Sequence, residues 1–196
     1  MVSPEDFAPE REAGVGGSGA APALSGITGV WQQDATRSES LCPFMAGLFA
    51  YPIDRIACAV ADRQRVTLRI CVPRENTLEV VDKTMIGGRH MTSVELGGAE
   101  VETKTRGGRK SYMLSGFASR DAASGAEMST IRCRMASRGD GWATVQERFV
   151  DPNDPNTLVE RNILERPEEP KVVVTRYFKK TEEDVETAYQ KAMASL

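Results

Sequence analysis

A chain of 196 residues with 40% hydrophobic, 27% charged and only 6% aromatic residues is long enough for one domain with its own core and too apolar for a disordered chain. No run approaches the ~20 apolar residues that a membrane-spanning helix needs. A net charge of −3 excludes bulk attraction to nucleic acid or to an anionic membrane.

The four cysteines, at positions 42, 58, 71 and 133, show no C-x-x-C spacing, and His90 is the only histidine, so no metal site is expected. Met1–Glu12 carries four acidic residues and one Arg, unlike a signal or transit peptide. A cytoplasmic protein with free thiols is therefore expected.

Residues 1–26 have the glycine- and alanine-rich composition of a flexible tail. A strand follows over Thr28–Gln33. Between Ser38 and Ala61, Leu41, Phe44, Met45, Leu48 and Phe49 recur at helical spacing, and Pro43 suits a first turn. Tyr51-Pro52 interrupts the pattern before Ile53, Ile56, Ala57, Ala59 and Val60 resume it, which predicts two short helices.

Beyond Arg63, turn residues recur every 8–12 positions or so, the rhythm of a sandwich or barrel. The predicted strands are Val66–Val72, Thr77–Met85, Met91–Leu96, Glu100–Thr105, Ser111–Phe117, Met128–Met135, Trp142–Val150, Thr157–Leu164 and Val172–Phe178. Connections this short exclude parallel crossovers. Ten antiparallel strands in sequence order protect their edges by closing, so the fold class is all-β: a ten-stranded up-and-down antiparallel β-barrel with a helix-turn-helix lid. Asp151–Asn156 reads as a long turn. From Thr181 to Leu196 an amphipathic helix is expected, with Thr181 and Asp184 as its capping box and Val185, Ala188, Tyr189, Ala192, Met193 and Leu196 as an apolar stripe. That stripe docks on the barrel or binds a protein partner.

The order of these elements over residues 27–180 resembles the intracellular lipid-binding proteins, the fatty-acid-binding-protein family of the calycin group. Gly29-Val30-Trp31 is similar to the family's G-x-W. Ser93–Gly97 with Thr105–Lys110 resembles its S-x-x-L-G…T-x-D-G-R-K segment, and Thr175–Lys180 its closing T-R-x-Y-x-K strand. Gln33 departs from the pattern, standing where a hydrophobic residue is usual. So does Phe178, which replaces a frequent Tyr and removes a hydroxyl that helps hold a carboxylate.

Alternation along the last strand puts Val172, Val174, Arg176 and Phe178 on one buried face. A guanidinium there needs an internal acid, ordered water or an anionic ligand. The resemblance implies that Arg176 holds a ligand carboxylate. On the strand containing Arg148, alternation groups it with Trp142, Thr144, Gln146 and Val150, opposite a more apolar face, and so points it to solvent. The resemblance instead implies an inward Arg near this place. Arg161 is a weaker candidate of the same kind. Phe44, Met45, Leu48 and Ile56 are core contacts or the portal for an apolar tail.

His90, at a Gly-Gly-Arg turn, is expected to be exposed. No hydrolase elbow, P-loop or dinucleotide fingerprint occurs. The expected function is a non-catalytic intracellular carrier, without cofactor, that binds a fatty acid or similar hydrophobic anion through Arg176, Phe178, Arg148, Val174 and the lid apolars. The alternative is an adaptor subunit using the tail and the C-terminal helix.

Overall fold

The computed structural model describes residues 24–49, 58–60, 62, 65–74, 76–84, 88–104, 111–121, 128–137 and 141–194. Ten strands form: β1 (Gly29–Gln33), β2 (Val66–Arg74), β3 (Thr77–Thr84), β4 (Gly88–Glu95), β5 (Val101–Lys104), β6 (Ser111–Asp121), β7 (Met128–Ser137), β8 (Ala143–Asp151), β9 (Asp154–Glu165) and β10 (Val172–Thr181). Each predicted strand is present, with ends shifted by a few residues. They make one antiparallel sheet in the order β4-β3-β2-β1-β10-β9-β8-β7-β6-β5, a near-closed barrel joined by the pairing of the first strand with the last. Among the described residues β4 and β5 do not pair, so a seam lies between them.

Register fixes which residues face inward. Trp31 pairs with Leu68, and both are buried in one cluster with Ile27, Ile70, Leu78, Val80, Ile131, Leu158 and Phe178. Residues two apart along each strand share that face. Trp31 is anchored by its indole N–H, which donates to the Ile27 carbonyl at 3.0 Å. The glycine of Gly29-Val30-Trp31 has φ +135°, a conformation side chains rarely adopt, and a Cβ there would meet Lys180 Cε at 3.3 Å.

Helix α1 (Cys42–Phe49) begins where Pro43 sits in the first turn, as its fixed φ favours. It lies across β9 and β10. Phe44 packs with Trp142, Leu164 and Val172, and a Cβ on Gly47 would come within 2.5 Å of Leu164 Cδ2, so a larger residue there would require Leu164 to shift. Arg166 donates to the Gly47 carbonyl from below. Residues 58–60 are helical, while Pro52 and Ile56, part of the expected second helix, lie outside the described residues.

The cysteine expectation is corrected: Cys42 and Cys58 form a disulfide across the lid, with Cα atoms 5.1 Å apart, while Cys71 and Cys133 are free. Spacing could not reveal this, because the helices that bring the two residues together are themselves a tertiary result.

Two boundary readings are also corrected. The long turn at Asp151–Asn156 is a two-residue hairpin, Asp151 pairing with Asp154; the surplus residues become a bulge, since Val150 next pairs with Leu158. The C-terminal helix, α2, spans Val185–Ala194, and Thr181 belongs to β10. Its cap is Asp184, whose Oδ1 accepts from Glu186 N at 2.9 Å and Thr187 N at 3.1 Å.

Helix α2 docks on the outside of β1 and β2. Ala188 and Tyr189 are buried there, Gln32 Nε2 donates to the Ala188 carbonyl at 3.1 Å, and Lys83 lies over the Tyr189 ring at 4.6 Å.

The disulfide closes a short loop, so reducing it or making Cys42→Ser should lower stability by about 3 kcal/mol in urea unfolding. Thiol titration of the unfolded, unreduced chain should count two of the four cysteines.

Candidate functional site

The inner face of the barrel is not uniformly apolar. On β9, Leu158, Glu160, Asn162 and Leu164 share the buried face. Register sets Glu160 directly opposite Arg148 on β8 and Arg176 on β10. A carboxylate thus sits between two guanidiniums in one row across three strands. All three are buried, with exposures of 1% for Glu160, 5% for Arg148 and 8% for Arg176.

Arg148 Nε donates to Glu160 Oε2 at 2.8 Å, and Arg176 Nη1 lies 3.6 Å from Glu160 Oε1. Asn162 Nδ2 also donates to Oε1 at 3.1 Å, and is itself held by Gln146 Nε2 at 3.1 Å. Burial by itself would raise the Glu160 carboxyl, but Arg148, then Arg176, and the donors around it hold it below the ordinary 4.5. Burial lowers the Arg176 guanidinium, Glu160 opposes this, and Arg148 adds to it. A guanidinium remains protonated regardless.

Arg176 also donates from Nη2 to Gln33 Oε1 at 2.7 Å, while Val66 N donates to the same oxygen at 3.2 Å. The polar side chain at position 33, which departs from the family pattern, therefore braces the arginine. The Nε of Arg176 is buried and has no hydrogen-bond partner among the described residues. Phe178 lies beside it, the guanidinium 5.2 Å from the ring centroid. Cys133 is buried near Arg148 and Glu160; burial pushes its thiol up, which keeps it protonated.

The expected residues divide clearly. Arg176, Phe178 and Val174 are buried on the inner face as alternation predicts. Arg148 is inside, against its strand's pattern. The pattern misleads because the outer face of β8 is covered by long side chains: Arg132 pairs with Glu147 at 2.8 Å, and Arg161 lies over the Phe149 ring at 5.3 Å. Arg161 is exposed. Phe44 and Met45 are half-buried in α1, and Phe44 packs on the barrel mouth, whereas Ile56 and the side chain of Leu48 lie outside the described residues.

Glu160, Asn162 and Gln146 escaped the sequence reading. The available signal was Glu160 alternating with Leu158, Asn162 and Leu164, a charge on an otherwise buried face.

A cleft of about 170 Å³ adjoins the cluster through Gln33, lined also by Ser38, Glu39, Ser40, Leu41 and Asp62. Its two carboxylates are committed to the backbone, Glu39 to Thr175 N and Asp62 to Leu41 N. They make this side unfavourable for an anion to enter.

An antiparallel ten-stranded barrel, opened along one seam and capped by a helix after its first strand, is the fatty-acid-binding-protein fold. Comparison with solved structures agrees. The chain is similar to Echinococcus granulosus fatty-acid-binding protein 1, at 15% identity with a TM-score of 0.57, covering 80% of this chain and 98% of that one. It is also similar to the fluorescent protein UnaG, at 15% identity with a TM-score of 0.54, covering 81% and 99%. No protein-family model and no curated protein sequence matches the chain.

Glu160→Gln leaves two buried guanidiniums without their carboxylate and should cost about 3–5 kcal/mol in chemical denaturation. The depressed pKa of Glu160 also sets a pH dependence. The unfolded chain takes up the proton first, near 4.5, so the contribution of Glu160 is complete above that value and is lost as pH falls through the lower folded value. Stability measured downward from pH 7 should drop more steeply in the wild type than in Glu160→Gln.

Proposed function

We propose that the protein is a non-catalytic carrier of a hydrophobic ligand with an anionic head, most simply a fatty acid, held inside the barrel. The observation that carries this reading is the charge count of the buried row: two guanidiniums face one carboxylate, and Arg176 keeps a buried N–H without a partner among the described residues. An anionic head placed against Arg176 and Arg148 balances that surplus through charge-assisted hydrogen bonds. The tail then lies against the apolar inner face near Phe178, Val174 and Leu158, with Phe44 and Met45 of α1 around its entrance. The fold shared with a fatty-acid-binding protein supports the same reading.

The adaptor alternative is weaker, because α2 already covers the barrel wall with Ala188 and Tyr189. The cytoplasmic placement is a proposal too, and the Cys42–Cys58 bond weighs against it, since disulfides persist mainly in oxidising compartments.

The test is titration of delipidated protein with a fluorescent fatty acid. Saturable binding is expected, weakened at least roughly tenfold in Arg176→Ala. Loss of fold is separated from loss of function by the triple variant Arg148→Met, Glu160→Leu, Arg176→Met. Replacing a whole buried ion cluster by apolar residues is commonly neutral or stabilising, so the triple variant should keep its stability and lose binding. Undiminished binding in it would refute the carrier reading.

A further inference from the structure

A second polar station lies on the barrel's inner face, on the strands next to the seam. The row that begins with Trp31 and Leu68, both buried, continues by register to Asp82 on β3 and then His90 on β4. Directly paired residues share a face of the sheet, so Asp82 and His90 belong to the inner wall.

Their neighbours on that wall, Leu78 and Val80 along β3 and Val94 along β4, are buried and apolar. Asp82 and His90 break this lining on the strands next to the seam. The side chain of Asp82 is 32% exposed and that of His90 56% exposed, so solvent, and hence a ligand, reaches both. His90 Nδ1 lies 3.3 Å from Asp82 Oδ1, and Thr92 Oγ1 lies 3.5 Å from the same nitrogen.

The carboxylate can only accept hydrogen bonds when ionised, and it repels a second anion. What suits it is a donor. We propose that Asp82, oriented by His90, is a specificity-determining contact, and that the ligand carries a hydroxyl or N–H group in addition to its anionic head. This rests on the carrier reading and narrows it, from any fatty acid to an amphipathic anion bearing a hydrogen-bond donor along its chain. A plain saturated fatty acid would leave methylene groups beside a half-buried carboxylate, with nothing in exchange for the water displaced.

The experiment compares hexadecanoic acid with a series of its monohydroxy derivatives, the hydroxyl moved stepwise along the chain, by displacement of a fluorescent fatty acid. At least one hydroxy acid should bind roughly tenfold more tightly than the parent, as expected for one hydrogen bond to a charged group. That preference should vanish in Asp82→Ala and shrink in His90→Ala, with the parent acid binding Asp82→Ala at least as tightly as the wild type, since no carboxylate is then desolvated beside its methylenes. Should Asp82→Ala fail to fold, the near-isosteric Asp82→Asn takes its place and should also reduce the preference. Parent and derivatives binding the wild type alike, or a preference that survives in the variants, overturns the assignment while Arg176-dependent binding leaves the carrier reading intact. Failure of every acid to bind overturns both.

Discussion

Glu160 is the constraint around which the barrel is arranged. Its carboxylate is 1% exposed and gains enough from two guanidiniums and an amide to stay charged in the core. Removing any one of these partners leaves an uncompensated buried charge, which costs more than most core substitutions. The row also specifies pairing. A one-residue slip of β9 against β8 or β10 would turn Glu160 outward and put Val159 or Arg161 between Arg148 and Arg176, leaving both guanidiniums without a carboxylate. A cluster of doubtful value for net stability thus contributes strongly to register, and it binds three strands that are neighbours both in sequence and in the sheet.

From that row the barrel divides. Toward Trp31 the interior closes over a packed apolar cluster, with Leu24 and Ile27 near its end. Toward α1 the inner wall becomes polar, with Gln33, Asn162 and Gln146 beside the ion row. The lid contributes apolar contact through Phe44 and is fixed at its start by the Cys42–Cys58 bond and by Asp62, which accepts from Leu41 N and Ser40 Oγ. Outside, α2 covers the strands of the first half. The molecule therefore keeps an apolar core inside, interrupts it with a charged row, and carries a further apolar strip on the outer wall only under α2.

That mixed interior explains where sequence reasoning succeeded and where it failed. On β10 the inner face is the apolar one, so Val174, Arg176 and Phe178 were legible from alternation. On β8 the inner face carries Thr144, Gln146 and Arg148, while Phe149 and Glu147 outside are sheltered by Arg161 and Arg132. Hydrophobic pattern there points the wrong way, and the resemblance to lipid-binding proteins placed Arg148 correctly for a reason that alternation does not contain. Glu160 lay within reach, as a charge on an apolar face, but its partners are 12 and 16 residues away along the chain and meet it only through register. The disulfide belongs to the same category.

By itself the sequence determined the ten strands, their antiparallel order, the helix after the first strand and the inward face of the last strand, because turn residues and local alternation act over a few neighbouring positions. Tertiary structure decided which arginines share a carboxylate, that Gln33 braces one of them, that Cys42 meets Cys58, that α2 lies on the barrel wall, and that Asp82 and His90 line the inside near the seam. These depend on strand register and closure, where residues far apart in the chain become neighbours and burial turns a charge from a solvated group into one that must be matched.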